Sequence, residues 1–483
     1  MASQTRKITL DTAALVFGRA VGFVLGLIRL NYLARLLGVV NFGVLNFATY
    51  FTSLFASLFD LGLSQLLTRE IARDLSRSRE LLGRVLTVKL GIAAFASALV
   101  MVAAHVSGLR GETLAAVLLT TVALAMNQIG LAFLSALQAH RKMALVSAAN
   151  IINDAILSAA IILILPGSPR VTTALVITAI IAVLNIALLF SVYRHFVGMP
   201  RMRTDWKTTQ MLLREGAPLA VSALGIALYT FAAPTILRYT RGESELGLFS
   251  AGYKLIVILT IIPTAFTQVV FPIFSDFYAR AKEKVEKALA DSLRVISLVS
   301  MPLAAGALVV GNDMFRLLYT DEYLPGVIVF QIILLGNVFG FMNWILYSFL
   351  VSVDRQRFVM WLSLFTGLAA LAVALVVIPP YGFRSIPVLV VGVELTLFFS
   401  QIAYTRRLGY RRLYLRQLIR PGLAAAAMAM LLSVLSPMHV LAAIPLGAVC
   451  YAVLLALVGA LGDQERQILQ AVSARFFPRR DAS

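Results

Sequence analysis

Residues 10–33 read LDTAALVFGRAVGFVLGLIRLNYL, a mainly apolar stretch long enough to cross a bilayer as one helix. A membrane-spanning helix needs about 20 consecutive residues of this kind. Similar stretches recur along the 483 residues, and hydrophobic residues make up 60% of the chain, against about 45–50% in soluble domains. The sequence therefore predicts an all-α polytopic membrane protein and excludes a soluble enzyme.

About fourteen such stretches are recognisable, separated by short links. They lie near residues 10–33, 42–66, 85–107, 113–138, 143–165, 171–193, 216–238, 247–274, 295–318, 326–351, 358–378, 385–404, 421–435 and 440–461. Because no link is long enough to form a catalytic domain outside the membrane, we expect any activity to lie among the helices and do not expect an enzyme.

The charges are unevenly distributed. The chain carries 42 Lys and Arg against 23 Asp and Glu, a formal net charge of +19. In a soluble protein this excess would suggest a nucleic-acid partner. Here the basic residues concentrate in alternate links, which is typical of the cytoplasmic loops of membrane proteins. The pattern predicts no nucleic-acid partner and places both termini in the cytoplasm.

The sequence contains few residues suited to cofactor chemistry. The single cysteine, Cys450, excludes an internal disulfide framework, and the four histidines are scattered. No phosphate-binding loop with the spacing Gly-x4-Gly-Lys-Ser/Thr is present, so ATP hydrolysis by that machinery is not expected. We therefore predict no metal and no cofactor other than a coupling ion, either a proton or sodium.

A short sequence repeat divides the chain. Gly38 and Gly43 are matched by Gly242 and Gly247 at the same spacing, each pair in the link between the first two helices of a half. Repeats with an even number of spans run in the same direction and enclose a central cavity. The sequence thus predicts a six-helix lobe over 1–215, a second over 216–415, and two additional helices with a cytoplasmic tail over 416–483.

Several cations fall inside predicted spans, where a charge costs about 2.5–3.5 kcal/mol on insertion scales. Arg19 and Arg29 lie about 80° apart on the first helix, with small residues between them. One interpretation is a cationic cavity wall, to which Lys254 of the eighth helix would contribute. The alternatives are that Arg29 extends to the bilayer surface and that Arg19 pairs with Asp60. Lys89 is expected to extend to the surface.

Polar residues also follow one face of the fifth predicted helix. They are Ser147, Asn150, Asp154 and Ser158. Such a face must meet water or other helices, because lipid cannot satisfy it. It either lines a hydrated cavity, with Asn150 and Asp154 contacting the substrate, or forms hydrogen bonds between helices. Asp60, Asp154 and Glu394 are candidates for ion coupling or charge pairing.

Four motifs in the first two predicted helices point to a family. They are LARLLG at 33–38, FGVL at 42–45, FDLGLSQ at 59–65 and TREIAR at 68–73. Together they resemble the N-terminal signature of the Wzx-type polysaccharide biosynthesis flippases, which belong to the multidrug/oligosaccharidyl-lipid/polysaccharide (MOP) exporter superfamily.

The resemblance implies that a polyprenyl-pyrophosphate-linked oligosaccharide moves from the inner to the outer leaflet of the plasma membrane by alternating access. Its partners would be the lipid-linked glycan, the bilayer and the polysaccharide polymerase and assembly machinery. Related lipid II flippases also place cations in the first and eighth helices, as with Arg19, Arg29 and Lys254 here, and have two extra C-terminal helices, as over residues 421–461. The absence of an acidic residue after Arg19, where Ala20 stands, argues against lipid II itself.

Two other functions compete with this one. Drug antiporters of the same superfamily have twelve helices and usually bind cationic substrates with acidic residues. A membrane-embedded glycan ligase would need a sizeable outer loop. The number of spans and the positive sign of the cavity candidates favour the flippase.

Overall fold

The computed structural model describes residues 2–202, 206–410, 418–435 and 439–459. Side chains are described over these ranges except at residues 2–20, 206–209, 212, 213, 217–219, 222, 279 and 282. Regular structure in these ranges is helical throughout. The helices are α1 Ala2–Ser53, α2 Ala56–Asp60, α3 Leu63–Arg73, α4 Ser78–Val106, α5 Gly111–Ala139, α6 Met143–Ile164, α7 Val171–Phe196, α8 Trp206–Ala227, α9 Ala233–Arg241, α10 Glu243–Leu259, α11 Ile261–Arg280, α12 Lys282–Leu318, α13 Val327–Ser352, α14 Gln356–Tyr381, α15 Ser385–Arg407, α16 Ile419–Val434 and α17 Val440–Leu457.

Ten helical stretches among the described residues are long and apolar enough to cross a membrane. Some of them contain a turn: Gly38 breaks α1, and Gly382 separates α14 from α15. Both glycines have positive φ, 70° and 63°, which side chains rarely tolerate. With α8–α9 and the shorter α16, the chain forms about fourteen passes, so the predicted all-α polytopic fold is confirmed.

The packing of the helices repeats along the chain. Helix α1 packs against α6 as α8 packs against α14, and α5 packs against α7 as α13 packs against α15. Helices α16 and α17 pack against each other and against α12. The division into lobes at 1–215, 216–415 and 416–483 stays a prediction, with which this pattern agrees.

One end of the bundle collects the basic links, and we call it the basic end. There His140 contacts Ser78, Lys142 lies over the ring of Phe196, and Arg69 pairs with Glu215 of α8. These contacts bring together residues 69–84, 138–142, 196–202 and 215, which form the basic end.

At the other end, which we call the opposite end, the two glycine pairs of the repeat meet. A Cβ atom on Gly43 would overlap the backbone of Glu243, and one on Gly247 would overlap the carbonyl of Val39. Helices α1 and α10 therefore cross in backbone contact, which only glycine permits. The turn that precedes α13 also binds α1, because the hydroxyl of Tyr323 donates to the carbonyl of Ala34 at 2.9 Å.

Candidate functional site

Two cavities lie between the N-terminal helices and α10–α11. The first has a volume of about 550 Å³ and lies toward the basic end. Four of the residues that line it carry side-chain amides: Gln138, Asn150, Asn153 and Gln268. The other lining residues are Gly22, Phe23, Met143, Val146, Ser147, Asp154 and Ile261. Its size is typical of pockets that hold one small-molecule ligand, about 300–1,000 Å³.

The second cavity lies nearer the opposite end and has a volume of about 400 Å³. Polar groups in its wall are Arg29, Asn46, Thr49, Thr52, Ser53, Thr120, Asn127, Thr178 and Lys254. Two cations from different halves of the sequence thus face one space. A cavity with this lining suits an anion.

Arg29 connects the two cavities. Its Nη1 atom lies 3.6 Å from Oδ1 of Asp154, which lines the first cavity, and 3.5 Å from the hydroxyl of Ser158. Gly22 lies close to this carboxylate, since a Cβ atom there would lie 3.1 Å from Oδ2 of Asp154. Arg29 lines the second cavity, although its role in binding stays a prediction.

Lys254 has no carboxylate partner among the residues whose side chains are described. Arg29, which lines the same cavity, carries the same charge. The third predicted cation, Arg19, lies outside the residues whose side chains are described.

The polar face of α6 serves two purposes. Ser147, Asn150 and Asp154 line the first cavity, together with the neighbouring Asn153. Ser158 is buried and donates to the carbonyl of Leu25 at 3.3 Å. The face therefore meets the cavity toward the basic end and packs against α1 toward the opposite end.

Lys89 does not extend to the bilayer surface as the sequence suggested. Its side chain is 1% exposed, and its ammonium group donates to Oδ1 of Asp60 at 2.5 Å, to the hydroxyl of Ser64 at 2.8 Å and to the carbonyl of Gln128 at 2.7 Å. The expectation was wrong because Asp60 comes close enough to neutralise the cation inside the protein. The sequence does carry a signal for this pair, namely a basic residue in one predicted span and an acidic residue in another. The possibility that the two pair with each other was not considered.

Glu394 lies on α15 and faces α13. The Asn343 amide donates to its Oε2 at 2.7 Å and to its backbone carbonyl at 2.9 Å. The amide of Gln401 approaches Asn343 Oδ1 at 3.4 Å. No cation pairs with Glu394 among the described side chains, whereas Asp60 and Asp154 both have cationic partners.

At the basic end, two contacts join the α2–α3 region to α8. A Cβ atom on Gly216 of α8 would overlap the carbonyl of Leu61, and Arg69 pairs with Glu215 at 2.5 Å. Leu61 and Gly62 both have positive φ, 47° and 72°, so the chain breaks between α2 and α3 where it meets α8. Sequence reasoning missed this contact because Arg69 and Glu215 are far apart in the chain.

A polar chain that is partly buried also lies at the basic end. His140 Nε2 is 2.9 Å from the hydroxyl of Ser78, which is 3.0 Å from the hydroxyl of Tyr193. Burial, and secondly the charge of Lys142, lower the pKa of His140 below its ordinary value of 6.5. His140 therefore resists protonation in the folded protein.

Comparison with known proteins places the chain in a family. The sequence profile of the family "Polysaccharide biosynthesis protein" matches residues 8–278. A Shigella flexneri protein named "Putative O-antigen transporter" is 22% identical over 358 residues, which cover 71% of this chain and 84% of that protein.

Solved structures show the same fold. The lipid II flippase MurJ in its inward closed conformation is similar with a TM-score of 0.77 at 12% identity, over 93% of this chain and 98% of that one. An inward-facing multidrug resistance MATE family transporter of the MOP superfamily is similar with a TM-score of 0.64 at 15% identity, over 80% and 93%. A MOP superfamily transporter of Pyrococcus furiosus gives 0.62 at 13%, over 82% and 95%. The chain is thus a multi-pass membrane transporter rather than an enzyme, and it belongs to the polysaccharide biosynthesis protein family, with the fold of the MOP exporter superfamily.

Proposed function

We propose that this protein moves a polyprenyl-pyrophosphate-linked oligosaccharide from the inner to the outer leaflet of the plasma membrane by alternating access. The observation that carries the proposal is that Arg29 and Lys254, from different halves of the sequence, line one cavity. A guanidinium group binds phosphate oxygens through paired hydrogen bonds, and an ammonium group adds a second charge. Arg19, one turn before Gly22 on α1, is the third cation that we assign to the pyrophosphate.

The first cavity suits the glycan. Side-chain amides such as those of Asn150, Asn153 and Gln268 donate and accept hydrogen bonds at once, as sugar hydroxyl groups require. Asp154 adds a carboxylate acceptor. The polyprenyl tail stays in the bilayer, because its transfer into a polar cavity would be unfavourable.

Alternating access would open and close the two ends in turn. The contacts of Gly43 with Glu243 and of Gly247 with Val39 hold α1 against α10 at the opposite end, and the contact of Leu61 with Gly216 joins the halves at the basic end. We assign the basic end to the cytoplasm, with both termini, since positively charged links are retained there. Motion of residues 1–215 against 216–415 would then expose the cavities to each side.

We assign ion coupling to Glu394. Asp60 and Asp154 have the cationic partners Lys89 and Arg29, whereas Glu394 has only amide partners among the described side chains. A carboxylate of this kind inside a membrane protein is suited to carry a proton or sodium ion. Replacing Glu394 with Gln should make transport independent of the ion gradient, and a variant that still responds to the gradient would refute the assignment.

The function is tested by the leaflet distribution of polyprenyl-pyrophosphate glycans in cells depleted of the protein. Wild type should restore outward movement, while Arg29→Gln and Lys254→Gln should leave the glycans in the cytoplasmic leaflet. Arg316→Gln is the matched control, because Arg316 is exposed on α12 and lines neither cavity.

An unchanged distribution after depletion, in cells with no second flippase, would refute the proposal. It would favour the drug antiporter instead, which removes organic cations from cells. Normal movement with well-expressed Arg29→Gln and Lys254→Gln variants would refute the assignment of the cations.

A further inference from the structure

The contact of Arg29 with Asp154 lies on the boundary between the two cavities. Asp154 lines the first cavity and not the second, whereas Arg29 lines the second and not the first. A ligand that occupies both cavities would therefore contact this pair.

The pair is loose. Its 3.6 Å separation exceeds the 2.7–2.9 Å typical of a charge-assisted hydrogen bond. The side chains of Arg29 and Asp154 are 25% and 33% exposed, and the other contact of Arg29, to Ser158, is also long at 3.5 Å. Partly solvated pairs of this length contribute little stability, so Arg29 has donors available for a stronger partner.

Space for such a partner lies beside Arg29. A Cβ atom on Gly26, which lines the second cavity one turn before Arg29, would meet no atom within 4 Å. One turn earlier, at Gly22, the carboxylate of Asp154 occupies the corresponding space. Two spaces thus lie beside glycines of α1. The carboxylate of Asp154 occupies the space beside Gly22, and the space beside Gly26 is open.

We propose that Asp154 is an internal competitor for the phosphate of the cargo. It holds Arg29 while the cavities are empty, and a phosphate entering the space beside Gly26 displaces it, because a phosphate offers more charge and a paired contact to the guanidinium. After release, Asp154 returns to Arg29. This inference rests on the proposed function and adds that Asp154 keeps phosphate affinity low enough for the cargo to leave.

The test uses geranyl pyrophosphate, a short isoprenoid pyrophosphate, and the purified full chain in nanodiscs at low salt. Asp154→Asn should bind the probe about three- to tenfold more tightly than wild type, because the competing charge is gone and the size is retained. The same variant should move lipid-linked glycan more slowly in cells, because release is impaired. Arg29→Gln should lose most of the binding.

Asp313→Asn is the matched control, because Asp313 on α12 lines neither cavity and forms no ion pair among the described side chains. It should bind and transport as wild type does. Asp154→Ser supplies a second neutral variant if Asp154→Asn is not recovered as monodisperse protein.

The possible results distinguish a failure of the proposed competition from a failure of the proposed function. Binding by wild type that is lost in Arg29→Gln but is not tightened in Asp154→Asn or Asp154→Ser would overturn the competition while leaving the proposed function intact. Equal, negligible binding by wild type and Arg29→Gln would overturn both. Tighter binding with unimpaired transport would overturn the role in release.

Discussion

Replacing Lys89 with Met should destabilise the protein strongly, although Lys89 lies in neither cavity. Methionine keeps an apolar side chain of similar length and removes only the ammonium group. Asp60 would then be left as a largely buried carboxylate whose remaining partner is the hydroxyl of Ser64, at 2.5 Å. We expect this change to affect folding before it affects binding.

The size of the effect follows from the surroundings of the pair. Removing one partner of a buried ion pair costs about 3–5 kcal/mol, because the other charge stays buried without compensation. The side chain of Asp60 is 20% exposed and keeps Ser64, so we expect the lower end of this range, about 3 kcal/mol. Removing both charges, with Asp60→Asn and Lys89→Met together, should be much less destabilising than Lys89→Met alone, because no uncompensated charge stays buried.

The assay is the free energy of unfolding in mixed micelles for wild type, the two single variants and the double variant. A double-mutant cycle should return a coupling energy of about 2 kcal/mol or more between Asp60 and Lys89. Asp276→Asn is the control, because its pair with Arg280 is exposed, at 55% and 81%, and should be worth under about 1 kcal/mol.

Two results would refute the reasoning. If Lys89→Met unfolds within about 1 kcal/mol of wild type, the ammonium group is not what compensates Asp60. If the double variant is as unstable as the single variants combined, the two residues act independently.

Three further predictions concern the ends of the bundle. Gly43→Val should abolish most transport, because the added side chain would force α1 away from α10. Gly91→Val on α4 is the control, since a Cβ atom there meets no atom within 4 Å, and equal transport by both variants would contradict the importance of the glycine contact. Because the pKa of His140 is lowered in the folded state, stability should fall as pH drops below about 6.5. The melting temperature of His140→Gln should therefore depend less on pH between pH 7 and 5 than that of wild type, and an unchanged pH dependence would disprove this. Glu215→Gln should change stability by under about 1 kcal/mol, because its pair with Arg69 is 43% and 50% exposed. The change should nevertheless increase the labelling of a cysteine introduced at the basic end, and unchanged labelling would exclude a gating role for this pair.

Features set by local sequence could be predicted. Apolar stretches of sufficient length fixed the all-α fold and the approximate number of passes, because lipid leaves the backbone no other way to pair its polar groups within a single segment. The spacing of Asn150 and Asp154 predicted a polar face on α6, and both residues line the first cavity. Arg29 was a cavity candidate because of its position on α1, and it lines the second cavity.

Features set by contacts between distant segments could not be predicted. The sequence repeat matched Gly43 with Gly247 but gave no sign that each would touch the other half. The position of Lys89 near the start of the third predicted helix likewise assigned it to the bilayer surface, because position along one helix does not reveal that Asp60 lies beside it. In each case the deciding partner is contributed by another helix.

The most direct test of the central claim is transbilayer movement in proteoliposomes that contain the purified protein and a fluorescent polyprenyl-pyrophosphate oligosaccharide in both leaflets. Modification of the sugar by an impermeant oxidant, under an imposed proton or sodium gradient, reports the fraction that reaches the outside. We predict that wild type increases this fraction beyond its initial value and that the Arg29→Gln, Lys254→Gln double variant behaves as empty liposomes do. The same accessible fraction with wild type, the double variant and empty liposomes would contradict a flippase that binds pyrophosphate through Arg29 and Lys254.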